Sequence, residues 1–385
     1  MQVRIYPIKS IRGIQLQSSS ATAMGFKYDR IFMLQRVEDD KNMHVPKFPS
    51  MCLFTTELSP SNEKPEKIVV RFGLDHTFDQ PDKKLPKEED TLEVPLQPNV
   101  TSLKRIEYVL HGVTTKGFIM DDRVCKWFSD RFGFEVRLNY IGQNKRQVLG
   151  TLNPNAPQVF VGDPDPKKAA AHSVSPTDSG WLSGFKAGMG SLVGTVASYT
   201  GLDAFKGVDD GITFADLAPF LVVSWKAFLE AQDRVGVDID IEKFRPNIVV
   251  EGAELWEEDY WAEISLGPQQ SGNRIVFTSN CARCASVNVD YVTGRPATDA
   301  QGKLLASLQS DRRIDPGNKY SPIFGRYGFL SQKNGLSPVQ PITISVGDEV
   351  EVTRKNERRT HFCKSKFHIQ ADPNTVRRLV TIRVP

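Results

Sequence analysis

Short runs of β-branched and aromatic residues, each ended by turn-forming residues, recur along this chain and restrict it to a fold built mainly from strands. Met1–Pro7, Ile14–Ser20, Arg30–Gln35, Lys67–Phe72 and Ile106–Leu110 have that character in the first part. Asn247–Glu251, Glu263–Leu266, Arg274–Thr278, Ala285–Val289, Thr343–Val346 and Glu349–Thr353 have it in the second. Strand-dominated sequence of this kind suits a β-barrel or sandwich. Two stretches read as helices. Asp122–Phe132 spaces Val124, Trp127, Phe128 and Phe132 along one helical face, with Asp121 or Asp122 as N-cap. Pro219–Gln232 (PFLVVSWKAFLEAQ) is the other. Asp75–Gln97 is charged and bears prolines, so an exposed loop is expected there.

The 385 residues exceed one ordinary core and point to two domains. Tyr140 to Phe214 stands apart, with DPDPKK at 163–168, an alanine run and then a Gly/Ser-rich segment; it reads as a long insertion. Inside it, Trp181, Phe185, Met189, Leu192, Val196 and Tyr199 form a helical apolar stripe opposite small and hydroxyl residues. Its glycines each cost about 1 kcal/mol relative to alanine, so the helix needs a surface to fold on. Packing on the protein's own barrel, an unstructured loop, and a membrane-interface helix over 181–202 are the open alternatives.

Basic residues number 49 and acidic ones 46, a net charge of +3, which gives no bulk electrostatic case for nucleic acid. The opening MQVRIYPIKS has no apolar signal-peptide region, and no apolar run reaches the roughly 18–20 residues of a membrane span. The cysteines Cys52, Cys125, Cys281, Cys284 and Cys363 are few and odd in number, which favours a reducing compartment over a disulfide framework.

Cys281-Ala282-Arg283-Cys284 is the main chemical lead, because a nearby Arg favours the thiolate. Four readings stand: buried structural thiols, a zinc site, a thioredoxin-like dithiol, or one thiolate on a transition metal whose other ligands come from an organic cofactor. No second CxxC or neighbouring histidine completes a zinc set, and β-type sequence flanks the motif where a redox dithiol would open a helix. Phe244-Arg245-Pro246-Asn247 ahead of IVVEG sets an Arg and an Asn at a strand entrance, suited to a phosphate or to capping a turn. Lys9-Ser10 and Asp29-Arg30 offer further cationic and hydroxyl donors.

Taken in order, YPIKSIRG, MGFKYDRIFML, FRPNIVVEG, EEDYWAEISLG, NCARC, SPIFGRYGFL and ISVGDEVEV resemble MOSC-domain proteins with a MOSC N-terminal β-barrel domain, of the mitochondrial amidoxime-reducing component type. The resemblance covers nearly all of 1–353 apart from about 162–211. It implies an α+β, β-rich fold: an N-terminal β-barrel domain over 1–140, a MOSC β-barrel with peripheral helices over 141–355, and an extension over 356–385. It also implies a molybdenum–molybdopterin cofactor in the cleft between the domains. Cys284 falls on the position of the metal ligand and catalytic cysteine. Lys9, Ser10, Arg30, Arg245, Asn247, Arg283 and Tyr327 fall on cofactor-binding positions. So does Asp216, but Leu217 and Ala218 stand where the family has Thr and Ser, and Ala282 where it often has Ser.

The implied activity is reduction of N-hydroxylated small molecules, amidoximes or N-oxides, by oxygen-atom transfer. The chain has no haem, flavin or iron–sulfur motif, so a cytochrome b5-type donor with its NADH-dependent reductase is the implied partner. A cytosolic or cytosol-facing membrane location follows, the mitochondrial outer membrane included. A cofactor or sulfur carrier without reductase activity is the alternative, and a cofactor-less binding protein a third.

Overall fold

The computed structural model describes residues 1–85, 90–148, 154, 160–162, 211–267, 272–332 and 339–362. The apolar stripe over 181–202 lies outside the described residues, as does most of the extension.

The fold is strand-rich, with few helices. Its frame is an eight-stranded sheet that curls as a half-barrel. Across it run Ile14–Leu16, Gln2–Ile5, Ile248–Val250, Phe220–Ser224, Ile323–Gln332, Asn273–Ala282, Trp261–Leu266 and Val350–Lys355. Neighbours are antiparallel except Phe220–Ser224 and Ile248–Val250, which run parallel. Two of these strands come from the first sixteen residues, so Val3 pairs with Ile248 across most of the sequence. Ser18–Thr22 likewise pairs with Ile342–Ser345. The rest of the first part forms a four-stranded sheet from Phe32–Arg36, Lys104–Leu110, Val113–Ile119 and Val136–Tyr140, and a three-stranded one from Phe54–Ser59, Lys67–Phe72 and Thr91–Pro95. One apolar core joins the parts: Phe54, Trp127 and Phe128 belong to the same buried cluster as Phe220, Trp261 and Ile275.

Helix α1 covers Asp122–Phe132, as its periodicity predicts, and Asp121 caps it by accepting from Val124 N at 2.9 Å. Pro219–Gln232 is not one helix. Phe220–Ser224 is a buried strand, and α2 runs Trp225–Val235 from a Ser224 cap. The run Phe-Leu-Val-Val is apolar on both faces because sheet neighbours flank it and α2 covers it, so it carries no strand alternation. Asp75–Gln97 is not simply loop, since Thr91–Pro95 pairs along Lys67–Arg71 and buries Leu92 and Val94. Ala285–Asn288, expected as strand, is a 3₁₀ turn.

Candidate functional site

The two bulged strands at the centre of the sheet end beside the turn that enters Ile248–Val250, and there a cleft opens. It encloses about 540 Å³, open solvent at its mouth included. Arg30, Asp216, Arg245, Asn247, Arg283, Cys284 and Tyr327 all line it, so seven of the nine sequence candidates meet in one place. Lys9 reaches it indirectly, through Asp216. Ser10 does not line the cleft; it turns the backbone beside Lys9 at φ 68°. Arg30 and Arg245 also hold left-handed φ angles of 50° and 52°, costly for residues with side chains and common where function fixes the backbone.

The cysteines separate by burial. Cys281 is buried, and burial pushes its thiol pKa up. Cys284 is exposed at the head of the 3₁₀ turn, with its Sγ 3.3 Å from Ser286 Oγ. Both touch the cleft, but only Cys284 presents an open sulfur. No set of three or more His, Cys, Asp and Glu side chains gathers into a metal site among the described residues.

The cations differ in how far the protein already satisfies them. Arg30 donates to Asp29 Oδ2 at 2.5 Å, Asn247 Oδ1 at 3.0 Å and the Arg245 carbonyl at 3.2 Å. Burial works against its charge, but Asp29 more than offsets this and raises its pKa. Arg283 is clamped on the carbonyls of Phe324 and Phe244 at 2.6–3.0 Å. Asn247 spends its Oδ1 on Arg30 and on Leu221 N at 3.2 Å, and its Nδ2 on Arg4 O at 3.3 Å; it holds three elements together. Arg245 is the exception. Its guanidinium makes no side-chain hydrogen bond or ion pair among the described residues, and its Nη2 is buried without an acceptor. Such a donor costs roughly 1–3 kcal/mol until something accepts from it.

Lys9 bonds to the Asp216 carboxylate and, at 3.0 Å, to Phe214 O. His111, at a hairpin tip, brings its Nε2 within 3.5 Å of Asp216 Oδ1. Desolvation raises the Asp216 pKa, yet Lys9 and His111 outweigh it and hold the carboxyl well below the usual range. Tyr327 is buried, and that burial pushes its phenol pKa well up, so it stays a neutral donor.

Three contributors escaped the sequence analysis. Lys243 and Ser286 line the cleft, and buried Arg146 holds the Asp216 loop through the carbonyls of Ala215 and Asp216. Lys243 sits two residues before Arg245 and looks like ordinary surface lysine. Arg146 belongs to no motif; only the fold brings it near.

A MOSC N-terminal beta barrel domain model matches residues 1–135, and a MOSC domain model matches 209–351. The chain is 32% identical to the human mitochondrial amidoxime-reducing component 1 over 145 residues, which span 37% of this chain and 39% of that protein. It is 25% identical to the rat mitochondrial amidoxime reducing component 2 over 359 residues, 91% of this chain and 81% of that protein. An Arabidopsis molybdenum cofactor sulfurase is 20% identical over 323 residues, 81% of this chain and 31% of that protein. With both models matched in order along a fold of this design, the chain is a MOSC-domain protein that carries the MOSC N-terminal β-barrel domain ahead of it.

Proposed function

We propose that this protein binds a molybdenum–molybdopterin cofactor in the Cys284 cleft and reduces N-hydroxylated small molecules there. The observation that carries the proposal is one exposed thiol, Cys284, sharing a cleft with Arg245, whose buried Nη2 lacks an acceptor. The donor set fits the group. A phosphate on the pterin supplies acceptors for Arg245, with Arg30 and Lys9 close behind. A single thiolate suffices as protein ligand where the cofactor's dithiolene provides the others. When bound, the cofactor supplies two-electron removal of an oxygen atom from the substrate.

The protein's part is orientation and charge. Ser286 Oγ can donate to the Cys284 thiolate. Asn247 and Asp29 keep the Arg30 guanidinium in one orientation. Asp216 carries negative charge at the cleft wall, anchored by Lys9. Electrons come from outside the chain, from a cytochrome b5-type donor and its NADH-dependent reductase, on a cytosol-facing membrane surface. The relatives named as amidoxime-reducing components support this reading, and the one named as a sulfurase keeps a sulfur-carrier reading in view.

Metal analysis of the purified protein, followed by reduction of benzamidoxime with a reduced viologen dye, tests the proposal. Molybdenum near one per chain together with benzamidine formation is expected. Molybdenum without reduction overturns the reductase and leaves the carrier. Absence of molybdenum from protein made in a cofactor-competent host overturns the reductase and any cofactor-carrier role, leaving only sulfur transfer on Cys284.

A further inference from the structure

Tyr6 sits beneath the two arginines that meet in the cleft. The Arg245 guanidinium carbon is 4.3 Å from its ring centroid and that of Arg30 is 4.7 Å. The two cations are not equivalent. Arg30 is neutralised by Asp29 and tied by three hydrogen bonds, whereas the side chain of Arg245 has the Tyr6 ring and no hydrogen-bond or ionic partner among the described residues. Its left-handed backbone does not settle where the guanidinium points, so the ring does.

The ring itself is fixed from several directions. The Tyr6 hydroxyl donates to Pro246 O at 3.2 Å, and its backbone N–H donates to Asp29 Oδ1 at 2.8 Å. Gly13 leaves the necessary room, because a Cβ there would lie 2.5 Å from Tyr6 Cε1. Tyr6 is fully buried and does not line the cleft, so it acts through another residue.

We propose that Tyr6 is a positioning residue for the anion-binding end of the cleft: its aromatic face fixes the Arg245 guanidinium and thereby sets the affinity for a phosphate-bearing ligand. A guanidinium over an aromatic face is held by the ring quadrupole, and a donor held in place before binding loses less freedom when the ligand arrives. This inference rests on the cofactor reading above.

The test replaces Tyr6 with phenylalanine and then with phenylalanines bearing increasing numbers of ring fluorines, which drain the negative face while nearly keeping the shape. Each variant of the full chain is titrated with inorganic phosphate and followed by phosphorus NMR, with its melting temperature as the check on folding. Tyr6→Phe should stay within about twofold of wild type. Phosphate affinity should then fall stepwise with fluorination, by about three- to tenfold over the series. In an Arg245→Ala background the same series should be flat. A constant affinity across the fluorinated series overturns the inference. So does a decline that persists without Arg245, because the ring would then act through Arg30, which shares it, or by packing. Wild-type protein that binds no phosphate overturns both this inference and the cofactor reading.

Discussion

Replacing Asp29 with asparagine should weaken the fold and strengthen the site at once. Asp29 is 1% exposed and Arg30 8%, and the two form a buried ion pair. Asparagine keeps an acceptor for Tyr6 N, bonded at 2.8 Å in the native chain, and removes the charge facing Arg30. Taking one partner from a buried pair costs about 3–5 kcal/mol. Arg30 retains Asn247 Oδ1 and the Arg245 carbonyl, which puts the loss at the lower end, about 3 kcal/mol. The anion gains what the pair loses. Like charges at close range repel by roughly 1 kcal/mol in water and by roughly 4 kcal/mol at an effective dielectric of about 20, and screening leaves about a tenfold rise in phosphate affinity. Asp29→Asn should therefore melt below wild type in phosphate-free buffer and recover more steeply as phosphate is added. Scanning fluorimetry over a phosphate series reads both effects. A variant that loses stability and phosphate affinity together would refute the reasoning, since Asp29 would then organise the site rather than compete with its ligand.

Cys284→Ser should remove activity and change the metal spectrum, whereas Cys281→Ser should keep its molybdenum and most of its turnover; plasma mass spectrometry and the viologen assay check this, and exchanged phenotypes would reverse the assignment. Leu92→Ala, in the strand hidden within the charged stretch, should cost roughly 2–5 kcal/mol in a denaturant titration. Glu258 is fully buried, its carboxylate oxygens making no hydrogen bond of ordinary geometry among the described residues, and burial, reinforced by Asp259, pushes its pKa up to about 8. Because the folded protein holds this proton after the unfolded chain has released it, stability falls as pH rises from about 4.5 to 8, by at most about 1.4 kcal/mol per pH unit. Glu258→Gln should therefore melt above wild type at pH 8.5 and level with it near pH 4.5; an advantage independent of pH would count against the shifted carboxyl.

Local physics legible in a window of ten residues was legible in this sequence. The α1 helix shows its cap and its apolar spacing, the Ile14 and Val350 strands show their alternation, and the Lys67 strand shows its β-branched run. What escaped were the elements whose surroundings override the local pattern. Ile323–Gln332, the strand at the centre of the large sheet, runs through Gly325 and Gly328, which interrupt its β-type sequence and hide it. Gly328 is there because a Cβ would lie 2.4 Å from Ile275 Cγ2 on the neighbouring strand. Phe220–Ser224 looked helical because it is buried on both faces. At the site, motif residues announced themselves, and the cleft gathers all of them except Lys9, one step away, and Ser10. Which arginine is already spent on its neighbours could not be read from spacing, because Asp29, Asn247 and Phe324 satisfy Arg30 and Arg283 only after the chain has folded.

Pairing of Gln2–Ile5 with Ile248–Val250 also governs how the molecule is made. Tyr6 and Pro246 are bonded across 240 residues, so Gln2–Ile5 can pair early with Ile14–Leu16 but lacks its other sheet neighbour, Ile248–Val250, until that much more chain has been synthesised. Contacts this distant in sequence slow folding and lengthen the time an unpaired strand edge is exposed. The arginine from the early segment and the one from the late segment come together only in that closing step. Phosphate binding, if the proposed site holds, would thus report on completed chain closure, and a fragment starting near residue 209 would leave the edge of Ile248–Val250 bare and lack the Arg30 that bonds to the Arg245 carbonyl.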